Sequence, residues 1–257
     1  MKIVVCGCSF SATVSELPGT HWSEHLASMM GAELTNFARQ GISNAAIRVQ
    51  INEAIKLKPD WVFVGATTED RIEFPVVPFR KIDDGHPNHT AYDGNRSGYR
   101  KELGIKNFNY GDKHPYTMVS ETMFSIIDKL PHNYRVGKVS ADVQMAVSQY
   151  AAFIYDAHWK KQCDRWILNS GLWALHEAKI PFLFNPWINA EPKDFDMPDW
   201  FIEKYYVDWP LGFGRLCSEF PFSGSDPGYH TSAEGQAELA KRYYEYVKRK
   251  DNENTNG

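Results

Sequence analysis

The first strand pattern of the chain ends directly in a serine. Residues 2–6 read Lys-Ile-Val-Val-Cys, a short apolar run, and Gly-Cys-Ser-Phe-Ser follows at 7–11. In an open α/β sheet, ligands bind at the carboxyl edge of the strands, where a residue that follows the first strand lies. Gly7 lets backbone N–H groups approach a ligand closely. Ser9 is therefore either a reactive hydroxyl at that edge or the N-cap of the next helix.

The N-terminal part of the chain alternates between strand and helix patterns. The predicted elements are a strand at 2–6, a helix over Trp22–Met30 closed by Gly31, a strand at 33–38, a helix capped by Ser43 and ended by Pro59, and a strand over Trp61–Gly65. The caps follow from residue type, because serine favours helix starts and glycine favours helix ends. This β-α-β-α-β order predicts an α/β domain.

The rest of the chain is less regular. Residues 75–115 and 186–229 are predicted to be insertions or long loops, because they combine prolines and glycines with little periodicity. The elements predicted between and after them are a helix at 116–130, a helix from Ser140 to His176, a strand at 180–184 and a last helix that begins at Thr231, with Thr231 and Glu234 as a capping box. We predict one domain over residues 1–250 and a polar tail over 251–257, with fraying from Lys248.

Composition and charge exclude several classes of protein. The formal net charge of −4 argues against a general nucleic-acid binder. No apolar run is long enough to span a membrane, and the N-terminal strand is too short for the apolar core of an export signal. Four scattered cysteines do not make a disulfide framework. These features predict a cytoplasmic protein that interacts with neither nucleic acid nor membrane.

Nothing in the sequence calls for a metal or a cofactor. Cys6 and Cys8 lie two residues apart, but their only companions are distant single cysteines, so core packing is the favoured interpretation. A second set of metal-ligand residue types falls in a predicted loop: Asp83, Asp84, His86 and His89. A solvated loop is the favoured interpretation of that set.

A nucleophilic serine needs a base. Of the nine histidines, His230 is the best placed, because it immediately precedes the last predicted helix. Asp226 lies four residues earlier, in a Pro-Gly turn that could bring its carboxylate to the imidazole. A positioned imidazole takes the hydroxyl proton, and a carboxylate orients the ring. Without such a partner, Ser9 is interpreted as a helix cap and His230 as a surface or structural residue.

Four segments resemble the conserved blocks of the SGNH (GDSL-type) hydrolases. Residues 7–11 are similar to the first block, 36–44 to the second, 64–68 to the third, and 226–230 with Gly235 to the fifth. The resemblance covers about residues 3–74 and 222–247. The same features also resemble uncharacterised SGNH-like proteins of bacteriophages, for which a host cytoplasmic location would follow.

The resemblance implies a fold and a set of roles. The fold is a flavodoxin-like three-layer α/β/α arrangement with a mostly parallel sheet and a large mid-chain insertion. Ser9 would attack a small ester or acyl group such as an O-acetyl on a glycan, with His230 as base and Asp226 as its orienter. The N–H groups of Ser9 and Gly41 would hold the oxyanion. The spacing from Asp226 to His230 is one residue longer than is usual in the family.

The third block departs from the family pattern. Thr67, followed by Thr68, replaces the asparagine that donates a side-chain hydrogen bond to the oxyanion. Loss of one such donor costs on the order of 100- to 1000-fold in rate. A threonine hydroxyl, Asn44 or Arg71 could take its place. Arg71 and Glu73 are interpreted either as a surface salt bridge or as residues that position the substrate.

Three classes of function remain open from the sequence. The first is a serine hydrolase without cofactor that acts on a small ester or an acylated carbohydrate. The second is a catalytically weak or inactive binding or structural protein of the SGNH fold, for instance from a phage, with a protein partner at the 75–115 insertion. The third is a nucleotide or phosphate binder that uses residues 9–13 at a helix N-terminus. The aromatic run at 187–209 would be a lid, a sugar-binding wall or a hydrophobic plug.

Overall fold

A computed structural model describes most of the predicted α/β core. It describes residues 1–13, 19–38, 42–67, 153–186, 195–206, 219 and 231–250, and the backbone alone at 72–74, 116–119, 157 and 251–255. The strands are β1 (Lys2–Cys6), β2 (Glu33–Asn36), β3 (Trp61–Gly65), β4 (Ile72–Phe74), β5 (Tyr116–Val119) and β6 (Phe182–Asn185). The helices are α1 (Trp22–Met30), α2 (Asn44–Leu57), α3 (Ala157–Glu177), α4 (Asp199–Tyr205) and α5 (Ala233–Thr255).

The main sheet has four parallel strands in the order β2-β1-β3-β6. Val4 in β1 is in register with Thr35 on one side and with Val62 on the other. The strand order therefore reverses between β1 and β3, and the chain leaves the carboxyl ends of these two strands in neighbouring positions. Such a reversal is the point at which open α/β sheets bind their ligands.

Helices cover both faces of this sheet. Trp22 of α1 packs against Phe63 of β3 and Tyr243 of α5, with ring centroids 6.1 Å and 5.0 Å away. Right-handed crossovers that run in opposite directions along the sheet place α1 and α2 on opposite faces. On the second face α2 packs against α3. The predicted flavodoxin-like three-layer α/β/α arrangement with a mostly parallel sheet is confirmed.

The helix caps explain why the first two helices lie where the sequence predicts. Gly31 ends α1 in the left-handed region, with φ of 58°, and its N–H donates to carbonyls of the last helical turn. The hydroxyl of Ser43 accepts the N–H of Ala46 at 3.3 Å and so caps α2. Lys58, just before Pro59, ends α2 in a left-handed conformation.

The helix predicted at 116–130 is wrong at its start. Residues Tyr116–Val119 form β5, which pairs antiparallel with β4 through Phe74 and Tyr116. A Tyr-Thr-Met-Val run is compatible with a strand because aromatic and β-branched residues pack well on a pleated surface. The partner strand decides the outcome, and residues 120–130 lie outside the described part of the chain.

The helix predicted from Ser140 to His176 is not continuous. Residues 155 and 156 are not helical, and α3 begins at Ala157 with Asp156 as its N-cap. The Asp156 carboxylate accepts the N–H of Trp159 at 2.7 Å, a cap that aspartate favours over the helix interior. Residues 140–152 lie outside the described residues.

Two features of the last helix differ from prediction. Ser232, rather than Thr231, caps α5, because its hydroxyl accepts the N–H of Gly235 at 3.3 Å. The helix also continues to Thr255 instead of fraying from Lys248. Lys248 lies over the ring of Tyr244, one helical turn earlier, with its Nζ 4.5 Å from the ring centroid. Such cation–π contacts between turns stabilise a polar helix end.

The segment predicted as a loop at 186–229 contains α4. Phe201 and Tyr205 of this helix are buried, and the Tyr205 ring stacks on Phe182 of β6 at 4.0 Å between centroids. Its described aromatic residues are therefore mainly a hydrophobic plug, with Trp200 half exposed. Across the described ranges, no helix is both long and apolar enough to cross a bilayer.

The C-cap of α1 offers a test of the backbone conformation. Replacing Gly31 by alanine should cost about 1 kcal/mol, because a left-handed conformation strains any residue with a Cβ. No heavy atom lies within 4 Å of the added Cβ, so strain is the only expected effect. Asparagine at the same position should cost less, because it tolerates this conformation. Urea unfolding should show a lower midpoint with an unchanged slope, and equal costs for the two variants would contradict the assignment.

Candidate active site at the carboxyl edge of the sheet

Ser9 lies in a tight turn directly after β1. The N–H of Ser11 donates to the carbonyl of Cys8 at 3.0 Å, which closes a four-residue turn with Ser9 at its second position. Cys8 and Phe10 are buried, whereas Ser9 is partly exposed. The N-cap of α1 is His21, so Ser9 is not the cap of that helix. The turn therefore presents the Ser9 side chain at the carboxyl edge of the sheet.

Gln50 of α2 holds the start of this turn. Its Oε1 accepts the N–H of Gly7 at 2.6 Å, and its Nε2 donates to the carbonyl of Gly7 at 3.3 Å. Only glycine fits here, because a Cβ at position 7 would lie 2.5 Å from the Ser11 Oγ and 3.2 Å from the Gly65 carbonyl. The close approach of β1, β3 and the turn is thus the physical reason for this glycine.

Three further side chains hold the end of the turn. The carbonyl of Phe10 accepts from Trp22 Nε1 at 2.9 Å and from His21 Nε2 at 3.2 Å. The carbonyl of Ser11 accepts from Asn36 Nδ2 at 2.8 Å. Within the described ranges, no acceptor lies on the N–H of Ser9. A turn held in this way keeps the N–H of Ser9 in a fixed position as an unused hydrogen-bond donor.

His21 contacts the Ser9 turn, although no pattern in the sequence singled it out. Its Nδ1 accepts the N–H of Ser23 at 3.3 Å, and the side chain of Glu24 accepts the N–H of His21 at 3.1 Å, which completes a capping box. The bond from Nε2 to the Phe10 carbonyl requires the hydrogen on Nε2. The capping-box motif has serine or threonine at the N-cap, so a box with histidine there does not match the motif in the sequence.

The loop after β3 is held by Asn44. The N–H of Thr67 donates to Asn44 Oδ1 at 2.9 Å, and Asn44 Nδ2 donates to the carbonyl of Thr67 at 3.1 Å. The same Nδ2 also donates to Asp164 Oδ2 at 3.0 Å. Both hydrogens of the amide are therefore used within the protein. Asn44 could therefore donate to an oxyanion only by giving up one of these two acceptors, and its role as such a donor stays a prediction.

The Thr67 hydroxyl is buried without a partner. The residue is 1% exposed, and its Oγ1 has no hydrogen bond to any residue of the described chain. A buried hydroxyl without a partner costs about 1–3 kcal/mol relative to one that is paired. The loop that carries it therefore holds an unused donor beside the edge at which Ser9 lies.

The structure brings part of the predicted site together. Ser9 and Thr67 follow β1 and β3, which are neighbours in the sheet. The other predicted site residues lie outside the described residues: Gly41, Thr68, Arg71, Asp226 and His230. Glu73 lies in β4, where the backbone alone is described.

The cysteines near the turn are core residues. Cys6 and Cys8 are both buried with free thiols. Burial raises the pKa of the Cys6 thiol far above its usual range, because the charged form loses its hydration. This thiol is therefore not a nucleophile. In the described part of the chain, no group of three or more metal-ligand residues could hold an ion.

The sequence matches no protein-family model and no curated protein. In structure, the chain is similar to the psychrotrophic esterase EstA from Pseudoalteromonas sp. inhibited by monoethylphosphonate, with a TM-score of 0.47 and 10% identity over 98% of both chains. It is similar to TesA, with a TM-score of 0.45 and 11% identity over 97% of this chain and 99% of that one. It is also similar to the acetyl xylan esterase AlAXEase, with a TM-score of 0.34 and 10% identity over 96% of this chain and 100% of that one. Likeness at this level does not decide an activity, which depends on the chain's own residues.

A substitution at Gly7 tests the tight packing of the Ser9 turn. Gly7→Ala should lower the free energy of unfolding by about 1–3 kcal/mol, because the new methyl group overlaps the Ser11 side chain. Ser11→Gly in the same chain should recover part of that loss. Urea unfolding of both single variants and the double variant measures the coupling. Strictly additive effects would show that the two side chains do not meet.

Proposed function

We propose that this chain is a serine hydrolase that cleaves a small ester or acyl group, such as an O-acetyl group on a glycan. The observation that carries the proposal is the Ser9 turn, which presents a partly exposed side chain and an unused N–H at the switch point of the sheet. The family resemblance of the sequence motifs, including that to the phage proteins, supplies the remaining roles. The proposal needs no metal or cofactor.

The proposed reaction has two steps. The Ser9 oxygen attacks the carbonyl carbon while His230 takes the hydroxyl proton, and Asp226 stabilises the imidazolium. The N–H groups of Ser9 and Gly41 bind the oxyanion of the tetrahedral intermediate. Collapse of this intermediate breaks the ester bond, and His230 returns the proton to the leaving alcohol. Water then hydrolyses the acyl-enzyme with His230 again as base.

The anchoring of α5 supports His230 as the base. The N–H of Trp22 donates to Gln236 Oε1 at 2.9 Å, so the first turn of α5 is tied to the first turn of α1. The indole N–H of the same Trp22 donates to Phe10, the neighbour of Ser9. Because His230 lies just before α5 in sequence, this chain of contacts favours its approach to Ser9.

Thr67 is proposed to replace the family asparagine as the side-chain donor to the oxyanion. Its hydroxyl has no protein partner among the described residues, which suits a group whose partner arrives with the substrate. Because Oγ1 is shielded from solvent, contact requires the Thr67 side chain to turn toward the substrate while Asn44 holds the backbone. Arg71 and Glu73, which follow β3 in sequence, are proposed to position the substrate, with Thr68 as a second candidate donor.

The start of α1 does not favour a nucleotide or phosphate binder. Such a site uses unpaired N–H groups at a helix N-terminus. Here Trp22 N–H donates to Gln236, Ser23 N–H to His21 Nδ1 and Glu24 N–H to the His21 carbonyl. Residues 9–13 precede the cap instead of forming the first turn of α1. The rival that remains is the inactive binding protein.

Labelling with a fluorophosphonate tests the nucleophile. Mass spectrometry should find one adduct on Ser9 in the folded protein and none in Ser9→Ala or in urea-unfolded protein. His230→Ala should lower the labelling rate and the hydrolysis of p-nitrophenyl acetate by about 10³-fold or more. Equal, background-level hydrolysis by wild type and His230→Ala would instead support a binding or structural protein.

The Thr67 hydroxyl can be tested with two near-isosteric variants. Thr67→Val should reduce kcat by about 100- to 1000-fold, because it removes a donor to the oxyanion. Stability should stay the same or rise, because the lost hydroxyl has no partner in the described protein. Thr67→Ser keeps the hydroxyl and should retain most activity. A fully active Thr67→Val enzyme would remove Thr67 from the proposed oxyanion hole.

A further inference from the structure

A buried ion pair lies directly behind the loop that carries Thr67. Asp164 of α3 is 1% exposed, and the ammonium group of Lys160, one turn earlier, donates to its Oδ1. The Lys160 side chain is 13% exposed, so both charges are largely removed from water. A buried carboxylate is tolerated only where charges and hydrogen bonds compensate the loss of hydration.

The second oxygen of this carboxylate faces Asn44. Asn44 Nδ2 donates to Asp164 Oδ2 at 3.0 Å and also to the carbonyl of Thr67. Asn44 Oδ1 accepts the N–H of Thr67. An amide side chain can turn over and exchange its oxygen and nitrogen. A carboxylate accepts hydrogen bonds only, so Asp164 fixes which end of the Asn44 amide faces it.

We propose that Asp164 is a positioning residue that acts through Asn44 to fix the backbone of Thr67. Its carboxylate fixes the orientation of the Asn44 amide, and that amide fixes the positions of the N–H and the carbonyl of Thr67. The ammonium group of Lys160 lies on the other carboxylate oxygen and holds it in place. For its effect on catalysis the proposal rests on the proposed hydrolase function, whereas its effect on the Thr67 backbone does not.

The Asp164→Asn variant tests these linked hydrogen bonds from Asp164 through Asn44 to Thr67 most directly. An asparagine has the same shape, but its single oxygen can accept from either Asn44 or Lys160, and its NH₂ group then faces the other donor. The Asn44 amide should therefore lose its fixed orientation. Asp164→Glu is the second variant, since it keeps the charge and moves the carboxylate away from Asn44. Asp156→Asn, on the same helix, is the matched control, because asparagine also caps helices well.

The rate of hydrogen exchange at the Thr67 amide measures the proposed effect on the backbone and does not depend on catalytic activity. In Asp164→Asn, exchange at Thr67 should quicken by about tenfold or more, because a hydrogen bond to a fixed partner is weakened. The neighbouring Ala66 amide donates to the carbonyl of Asn185 and should change little. Asp156→Asn should leave both amides as in the wild type. Equal changes at Ala66 and Thr67, or no change at Thr67 in Asp164→Asn and Asp164→Glu, would overturn the proposal.

Kinetics then separate the two proposals. If the wild type hydrolyses p-nitrophenyl acetate, Asp164→Asn should lower kcat by about 10- to 100-fold with KM within about twofold, because misplacement of a preorganised group acts on the transition state. An unchanged kcat would overturn the catalytic part of the positioning role. A wild type without Ser9 labelling would refute the hydrolase, and the exchange result would still decide whether Asp164 fixes Thr67.

Discussion

Trp22 joins three parts of the molecule that are far apart in sequence. Its indole ring is buried between Phe63 of the sheet and Tyr243 of α5, and its two N–H groups reach Phe10 and Gln236. Loss of a buried tryptophan side chain typically costs about 3–5 kcal/mol. Here the indole N–H also holds the Ser9 turn, and the backbone N–H of the same residue holds the first turn of α5. The order of the site therefore depends on the packing of one face of the sheet.

The parallel pairing of β1 and β3 places the Ser9 turn and the Thr67 loop at the same edge of the sheet. Because the two strands are in register from Ile3 and Trp61 onward, the chain leaves both at the same edge. Gln50 fixes the turn after β1, and Asn44 fixes the loop after β3. Both side chains belong to α2, so a single helix sets the relative placement of the two segments. A shift of that helix would move both together and preserve their geometry.

Local signals in the sequence account for most of the core. Gly31 and Ser43 predicted the end of α1 and the start of α2, because caps act within one helical turn. The prediction failed where a distant partner decides, as at Tyr116, whose strand forms by pairing with β4. The bond from Asn44 to Asp164 joins residues that are 120 positions apart, and no pattern at either residue indicates it. The sequence therefore predicted Ser9 as a site residue but not the side chains that hold its turn.

The same hydrogen bonds serve both the stability of the core and the geometry of the candidate site. The carbonyls of Gly7, Phe10 and Ser11 lie in a buried turn, and side chains from α1, α2 and β2 donate to them. Their satisfaction is thus a requirement of folding before it is one of catalysis. A turn that is fixed for this reason keeps its geometry whether or not substrate is present. The geometry of the candidate site is therefore preorganised by the demands of the α/β core.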